Sequence, residues 1–280
     1  MHLATGGFQA LAWRLTFVFL ISSSSFRLLP DTLACAPLSL PSMEAFYQGH
    51  TFLAHGTTTI TANYTNMASK VEEHINKIEL ILEKEDSYKI VGLDVEYTYG
   101  PEQKAALIQL CMGTDCLLYQ ISSADQPCPK LADFLGRPDI TFAGVDIGND
   151  ITRLGRCNLS VANFVDIQKR WKPADSTSNN KDSLADYAAA IIDSQYKSIM
   201  KKLTKEEHKL WKQVPLSMKH ILYASIDAYA TYEVYRRIVN FEKGQQKLAE
   251  FQDSGSKKKK KKKKKKSNMV QAVEAEEEDH

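Results

Sequence analysis

Apolar side chains recur along residues 67–83 at intervals of three and four positions, with charged residues between them. The apolar members of this pattern are Val71, Ile75, Ile78 and Leu82. Such spacing places them on one face of an amphipathic helix. We therefore predict a helix over residues 67–83 and expect the folded domain to begin there.

Three short apolar runs follow this helix, separated by turn-forming residues. They cover residues 90–96, 106–111 and 116–121. Short links between runs of this length are typical of strands that pair as an antiparallel meander. Residues 140–147 and 163–167 predict a fourth and a fifth strand, and the fourth is apolar enough to be covered on both faces.

Helical patterns alternate with these strands. A short helix begins at Pro129, and a second covers residues 184–192 after a cap at Ser183 or Asp182. A long helix is predicted over residues 217–240. The predicted fold class is α/β, with a mixed five-stranded sheet flanked by helices on both sides.

The two ends of the chain differ in composition from the middle. Residues 1–30 contain no acidic residue and include an apolar run, as targeting segments do. This run is too short to span a bilayer, which takes about 20 helical residues. Residues 37–65 show no sustained period and indicate a linker. We therefore divide the chain into a disordered leader and linker (1–65), a folded domain (66–245) and a disordered tail (246–280).

Charge is distributed unevenly along the chain. It carries 36 basic and 34 acidic side chains, for a net charge of +2. Ten lysines form one run at residues 257–266, and five acidic residues lie within 274–279, so the remainder holds 26 basic and 29 acidic side chains. The predicted domain is mildly acidic, and the strong positive charge belongs to the tail, where consecutive lysines repel one another and stay solvated.

The five cysteines show no metal-binding spacing. They are Cys35, Cys111, Cys116, Cys128 and Cys157. No Cys-x-x-Cys pair occurs among them, and no histidines lie at zinc-finger distance. We interpret them as core or incidental thiols.

Asp94 and Glu96 are the first candidates for chemistry. They alternate with Leu93 and Val95 in the first predicted strand, so both carboxylates lie on the same face of it. Two carboxylates side by side repel each other, and a divalent ion such as Mg²⁺ or Mn²⁺, which prefers oxygen ligands, would compensate them. Taken alone, the pair also fits a strand with one solvated polar edge.

Two further acidic residues lie at the end of the fourth predicted strand and just beyond it. Gly148 permits a sharp turn, and Asn149 or Asp150 can cap the helix that comes next. Capping alone would explain Asp150, and metal ligation is the alternative. Asp146 is a rival carboxylate in the same neighbourhood.

The last candidates lie on the long helix. Tyr223 and Asp227 are four residues apart, so they share one helix face; packing would also explain the pair. Ahead of this helix, Thr204 and Glu207 fit a capping box before a basic helix. The basic segment contains Lys197, Lys201, Lys202, Lys205, Lys209 and Lys212. It is either a solvated face or a rim that faces phosphates.

In this order, the candidate residues resemble the three motifs of a known family. Asp94 with Glu96, then Asp150, then Tyr223 with Asp227 match the 3′ to 5′ exonucleases of the DnaQ-like superfamily that have four acidic residues and a tyrosine (DEDDy). Residues 104–111 (KAALIQLC) and 223–230 (YASIDAYA) strengthen the match. The chain looks most similar to the Werner syndrome-like exonuclease domain proteins of plants, over roughly residues 67–241, and it has no helicase region.

The resemblance implies a ribonuclease H-like fold and a site with two Mg²⁺ or Mn²⁺ ions. Asp94, Glu96, Asp150 and Asp227 would be the metal ligands, with Asp94 as the bridging one. Tyr223 would orient the attacking water, since a tyrosine with a pKa of about 10 is a poor base. Asp146 would lie outside the ligand set. Leu93, Ile108 and the aromatic residues near Tyr97 would pack against the terminal nucleotide.

Three functions remain open from the sequence. A metal-dependent 3′ to 5′ exonuclease on DNA comes first, and an exoribonuclease on RNA similar to ribonuclease D is the alternative. A catalytically silent nucleic-acid binding module is the third. Nucleic acid is the expected partner, without stable membrane insertion, and no protein partner is indicated. The lysine run favours the nucleus, with the cytoplasm also open, or an organelle if the leader is a transit peptide.

Overall fold

The computed structural model describes residues 44–84, 88–173 and 182–277, with side chains up to residue 248. These residues belong to one compact unit that begins at Ser42. The strands are β1 (Tyr47–His55), β2 (Thr58–Thr65), β3 (Ile90–Tyr97), β4 (Ala105–Met112), β5 (Asp115–Tyr119), β6 (Thr141–Gly144) and β7 (Phe164–Asp166). The helices are α1 (Ala68–Leu82), α2 (Pro129–Leu135), α3 (Ile147–Gly155), α4 (Ile167–Arg170), α5 (Leu184–Ile191), α6 (Tyr196–Ile199), α7 (Lys205–His208) and α8 (Met218–Glu277).

The strands form one mixed sheet in the order β1-β2-β5-β4-β3-β6-β7. Strands β3, β4 and β5 pair antiparallel, which confirms the predicted meander. Strands β6 and β7 extend the sheet parallel to β3. Helices cover the sheet, so the predicted α/β class is confirmed.

The predicted count of five strands was wrong, because the chain forms a hairpin before α1. Strands β1 and β2 pair antiparallel, and β2 joins the sheet parallel to β5. The buried side chains Ile60, Ala62 and Tyr64 alternate with polar neighbours along β2. Threonine, histidine and alanine occupy much of the hairpin, so the alternation is weak in hydrophobicity, although threonine favours strands. The interpretation of residues 37–65 as a linker therefore fails from Tyr47 onward.

Helix α1 lies within one residue of the predicted boundaries at each end and buries the predicted face. Val71, Ile75, Ile78 and Leu82 are all buried. The helix packs against α2 and β5. Helix α2 begins with Pro129 in its first turn, as predicted.

Helix α8 lies against the sheet at a glycine. A Cβ atom on Gly92 in β3 would come within 2.8 Å of the Ala228 carbonyl oxygen and of the Tyr232 backbone nitrogen. Only a residue without a side chain allows the helix backbone to approach the strand this closely. Since Gly92 and Asp94 share one face of β3, the contact brings α8 next to Asp94.

The turn before α3 differs from the prediction. The helix starts at Ile147, and Asp146 is its N-cap residue, with a left-handed φ of 56°. Asp146 therefore makes the sharp turn that was predicted for Gly148, which lies inside the first helical turn. Asp150 is a buried residue of the helix rather than its cap. Capping thus does not account for Asp150.

The predicted cap of α5 is Ser183, whose backbone N–H donates to the Asp186 carboxylate at 2.7 Å. The capping box of α7 is also confirmed, because Glu207 accepts from the Thr204 backbone N–H at 2.8 Å. Helix α7 is only one turn long. Lys209, Trp211 and Lys212 therefore lie beyond it, not on a basic helix.

The predicted disordered ends have different outcomes. The leader, residues 1–43, lies outside the described residues. At the other end the backbone of α8 continues as a helix to Glu277 and includes the lysine run, where we expect a disordered tail. Lysine has a high helix propensity, whereas like charges one turn apart oppose a helix. Within the described ranges, no helix has the length and apolar character that a membrane crossing requires.

Candidate active site

Three of the predicted acidic residues meet at one point. Oxygen atoms of Asp94, Glu96 and Asp227 all lie within 4.8 Å of one another. Asp94 and Glu96 come from one face of β3, and Asp227 reaches them from α8 because Gly92 lets the helix approach. Strand alternation and a glycine contact thus assemble the cluster.

Asp150 and Tyr223 line the same cleft of about 250 Å³ as these three carboxylates. Asp150 reaches it from the first part of α3. Tyr223 lies one turn before Asp227 on α8, and its hydroxyl hydrogen-bonds the Asp227 carboxylate. All five predicted site residues therefore converge.

The carboxyl groups of the cluster have raised pKa values, so they ionise less readily than exposed carboxyl groups. Burial raises the pKa of Asp94, of Glu96 and of Asp227 above their ordinary values, and for Glu96 and Asp227 repulsion by Asp94 adds to the rise. Burial and the charge of Asp94 raise the pKa of Asp150 to about 9. These shifts mean that the protein alone provides too little positive charge for four ionised carboxylates.

The donor set suits a hard divalent cation. It contains oxygen atoms only, which Mg²⁺ and Mn²⁺ prefer. Several partly buried carboxylates would regain their charged form beside such an ion, since an opposite charge at short range lowers a carboxyl pKa. The residues present therefore fit a divalent metal site.

The Tyr223 hydroxyl stays protonated and acts as a hydrogen-bond donor. Burial, followed by the charge of Asp227, raises its pKa far above the ordinary value. Its ring packs against His208 at 6.2 Å and Trp211 at 6.1 Å between centroids. The hydroxyl therefore keeps its proton and a fixed direction.

Asp146 also lines the cleft. Its carboxylate accepts a hydrogen bond from the Asn149 side chain at 2.7 Å, and its backbone N–H donates to Asp166 at 3.2 Å. These bonds support the tight turn into α3. Asp146 is thus placed at the wall of the cleft, apart from the cluster of Asp94, Glu96 and Asp227.

Arg153 is a cleft residue that the sequence analysis did not single out. Its guanidinium lies 3.8 Å from the centre of the Tyr97 ring, and it opposes the rise in the pKa of Glu96 and of Asp150. One of its nitrogens donates to the Asn149 carbonyl at 2.9 Å, whereas the buried Nε has no hydrogen-bond partner among the described residues. The spacing of three residues from Asp150 on one helix was the available signal.

A second cavity of about 390 Å³ adjoins the cleft, sharing Glu96, Tyr97 and His208 with it. Its other walls include Tyr99, Lys205, Lys209 and Trp211. Lys209 lies 5.3 Å from the centre of the Tyr99 ring. Two of the six lysines of the basic segment therefore face this cavity, whereas Lys197 pairs with Asp186.

The prediction that Leu93 and Ile108 pack against a nucleotide was wrong. Both are fully buried in the core. They alternate with Asp94 and Gln109 along β3 and β4, so they lie on the opposite face of the sheet. The aromatic residues Tyr97 and Tyr99 are 37% and 73% exposed, and they remain available at the cleft.

Comparisons with known proteins place the chain among exonucleases. It is 26% identical over 191 residues to a 3′–5′ exonuclease of Drosophila yakuba, covering 64% of this chain and 52% of that protein. It is 28% identical over 203 residues to a 3′–5′ exonuclease of Drosophila virilis, covering 68% of this chain and 60% of that protein. The chain thus spans about half the length of the curated relatives it matches.

Solved structures with a similar arrangement include the exonuclease domain of Nibbler from Aedes aegypti, with 18% identity, a TM-score of 0.47 and coverage of 68% of this chain and 90% of that chain. Another is the ribonuclease D of Trypanosoma brucei in complex with RNA U12, with 13% identity, a TM-score of 0.48 and coverage of 64% and 62%. The model of the 3′–5′ exonuclease family matches residues 67–241, well over half of the chain. This range includes all five converging residues, and the chain belongs to the 3′–5′ exonuclease family.

Proposed function

We propose that the protein is a metal-dependent exonuclease that removes nucleotides from the 3′ end of DNA by phosphodiester hydrolysis. The observation that supports this proposal is the convergence of Asp94, Glu96 and Asp227, whose oxygens lie within 4.8 Å of one another, beside Asp150 and Tyr223. Family membership supports the same chemistry.

Asp94, Glu96, Asp150 and Asp227 would hold two Mg²⁺ or Mn²⁺ ions. A pair of such ions stabilises both the attacking and the leaving oxygen of an in-line displacement at phosphorus. The four side chains would supply the negative charge that keeps the ions in place. Their burial at the base of the cleft limits competition from water.

Tyr223 would orient the attacking water. Its hydroxyl keeps a proton because burial raises its pKa, so it acts through hydrogen bonding rather than as a base. Asp227 accepts from this hydroxyl and sets its direction. The packing of His208 and Trp211 on the Tyr223 ring supports that geometry.

The end of the nucleic acid would enter between two tyrosines. Tyr97 carries Arg153 on its ring, and Tyr99 has Lys209 nearby. Exposed aromatic rings stack on bases of any sequence, and the cations beside them attract phosphates. These contacts suit a strand that is read without sequence preference.

DNA as the substrate rests on the resemblance of roughly residues 67–241 to the Werner syndrome-like exonuclease proteins of plants. RNA is the second candidate, as in ribonuclease D. A 2′-hydroxyl is distinguished by local shape and hydrogen bonding. Digestion of DNA and RNA oligonucleotides of the same sequence, with Mg²⁺ or Mn²⁺, separates the two candidates.

The nucleus is the proposed location, because ten lysines in succession suit nuclear import and attachment to nucleic acid. A fluorescent fusion at the C-terminus, compared with the same fusion without residues 1–40, tests this location. Accumulation in an organelle only when residues 1–40 are present would favour a transit peptide instead.

Asp94→Ala and Asp227→Asn test the proposed active site. Each change removes a charged ligand, so we expect degradation of a labelled 3′ end to fall by at least about 100-fold, in the range of lost electrostatic stabilisation. Asp133→Asn is a matched control, since Asp133 is exposed on α2 and lies outside the acidic cluster and both cavities. Wild-type turnover by either variant in a clean preparation would overturn the assignment of catalysis to this site, whereas binding of the oligonucleotide without turnover by the wild-type protein would support the silent binding module.

A further inference from the structure

Gln109 is a fully buried polar side chain behind the acidic cluster. In the pairing of β3 with β4 it lies directly opposite Asp94. Side chains that face each other across antiparallel strands leave the same face of the sheet, with Cβ atoms about 4.5–5.5 Å apart. Gln109 therefore lies on the face that α8 covers, next to the carboxylate in the centre of the cluster.

The amide of Gln109 contacts the Asp94 carboxylate and lowers its pKa, but without the geometry of a full hydrogen bond. Neither Nε2 nor Oε1 makes a hydrogen bond of normal geometry to any described residue. Gln120 is equally buried and gives a direct comparison. Its Nε2 donates to the Trp211 carbonyl at 2.6 Å, and its Oε1 accepts from the Tyr64 hydroxyl at 3.1 Å. The fold thus satisfies one buried glutamine fully and leaves the other with an incomplete hydrogen bond to Asp94 of the cluster.

An unpartnered buried amide destabilises a protein, whereas an apolar side chain of similar shape would not. A glutamine at this position therefore calls for a role other than holding the fold. Its amide nitrogen is a donor, and the acceptor placed opposite it is the Asp94 carboxylate. Such a bond strengthens when the carboxylate is ionised, which is the state that a bound cation requires.

We infer that Gln109 is a positioning residue for the metal-binding carboxylates: its Nε2–H donates to Asp94 and fixes the direction in which the Asp94 oxygens face Glu96 and Asp227. This role rests on the proposed function, because it concerns the same carboxylates. Gln109 acts through Asp94 and does not touch the substrate. Removing the hydrogen-bond partner of a ligand typically weakens metal affinity by about 10- to 100-fold.

Gln109→Met tests the role, since methionine keeps the length of the side chain and removes the amide. Mn²⁺ binding to the full chain is measured by titration calorimetry, and the melting temperature is measured without metal. We expect Mn²⁺ to bind about 10-fold more weakly, while the metal-free melting temperature stays the same or rises. A purely structural residue would lower both quantities together.

Gln120→Met is the matched control, because it removes an equally buried amide that has partners. We expect it to lower the melting temperature and to leave Mn²⁺ affinity unchanged. Gln109→Glu replaces a donor with a further negative charge. If Gln109 served only to let cations approach, this change would tighten Mn²⁺ binding, whereas loss of the donor to Asp94 weakens it.

Two outcomes separate the inference from the proposed function. Absence of Mn²⁺ binding to the wild-type protein would overturn the proposed function, and the role of Gln109 with it. Intact wild-type binding, together with unchanged affinity in Gln109→Met or tighter binding in Gln109→Glu, would overturn the role of Gln109 alone.

Discussion

At the scale of single residues, the carboxyl cluster makes the metal-free protein sensitive to pH. On folding, burial and the charge of Asp94 raise the pKa of Asp150 from 3.8 to about 9. Between these values the folded protein keeps a proton that the unfolded chain has released. The stabilisation is therefore complete below about pH 4 and is lost progressively as the pH rises toward about 9.

We expect the metal-free protein to melt at a lower temperature at about pH 8.5 than at about pH 6, because ionisation of Asp150 is opposed in the folded state. Asp150→Asn removes this titration, so its melting temperature should fall less over the same interval. Thermal unfolding in a chelating buffer measures both, and Mn²⁺ should stabilise the wild type most at the higher pH. Equal slopes in the two proteins would contradict the assignment to Asp150.

A substitution at Tyr223 can test whether its hydroxyl orients the attacking water while the packing of the ring is kept. Tyr223→Phe removes the hydroxyl that hydrogen-bonds Asp227 and keeps the ring between His208 and Trp211. We expect the single-turnover rate to fall by about 100-fold, the lower end of the range for a positioned proton donor or acceptor, with Mn²⁺ affinity unchanged. Tyr235→Phe, on the same helix and outside the cleft, is the control. A large loss of Mn²⁺ affinity would assign Tyr223 to metal binding instead.

At the scale of elements, the site depends on how closely α8 approaches β3. Gly92→Ala places a methyl group within 2.8 Å of the helix backbone, where no flexible side chain can move aside. The helix must shift, and Asp227 shifts with it. We expect a loss of about 1–3 kcal/mol in the free energy of unfolding, measured in urea, and a loss of nuclease activity beyond what the unfolded fraction explains.

Gly49→Ala is the matched control, because nothing lies within 4 Å of the added methyl on β1. Its stability should match or exceed that of the wild type, since alanine loses less backbone entropy than glycine on folding. Gly92→Ala with full activity and stability would show that the strand and helix tolerate a wider separation.

Local periodicity allowed some of these elements to be predicted and left others hidden. Helix α1 and the strands of the meander repeat apolar residues strongly enough to be recognised. The hairpin of β1 and β2 was missed because the polar Gln48 and His50 occupy inward positions of β1, opposite Tyr64 and Ala62, and interrupt the apolar alternation. Gly92 carries no local signal at all, since its role depends on a helix more than 100 residues away in the chain.

The residues of the site also fall into those that the sequence predicted and those that it did not. Asp94, Glu96, Asp150, Tyr223 and Asp227 were predicted together because their order and element types resemble one family. Arg153 could have been found from its helical spacing to Asp150. His208 and Gln109 could not, because the first reaches the cleft from the end of the one-turn helix α7 and the second depends on the register of β3 with β4.

At the scale of the whole molecule, the strongest positive charge lies apart from the cleft in the sequence. The cleft is acidic, and the ten lysines lie at residues 257–266. Cations that neutralise phosphates release counterions, so binding through them weakens as salt rises. The tail is therefore expected to supply affinity for nucleic acid, while the cleft supplies the chemistry.

Removal of residues 246–280 should weaken binding to a single-stranded oligonucleotide and flatten its dependence on salt, because the lysines no longer contribute. Fluorescence anisotropy at several salt concentrations measures both effects. The rate at saturating substrate should stay within about 2-fold of the wild type, since the tail holds no cluster residue. Removal of residues 274–280 alone is the control and should not weaken binding. An unchanged salt dependence without the lysines would refute the assigned role.

The hairpin before α1 determines where the chain can be truncated without damage to the folded domain. The Tyr64 hydroxyl donates to Gln120 and accepts from the Leu216 backbone N–H at 2.9 Å, just before the helix that carries Tyr223 and Asp227. The family match begins at residue 67, after Tyr64. A fragment that starts at residue 67 would lack β2, so the edge of β5 would be exposed to pairing with strands of other chains. It would also lack the Tyr64 hydrogen bond to Leu216, which holds the segment just before α8. The range matched by the family model is thus shorter than the folded domain, which also includes β1 and β2.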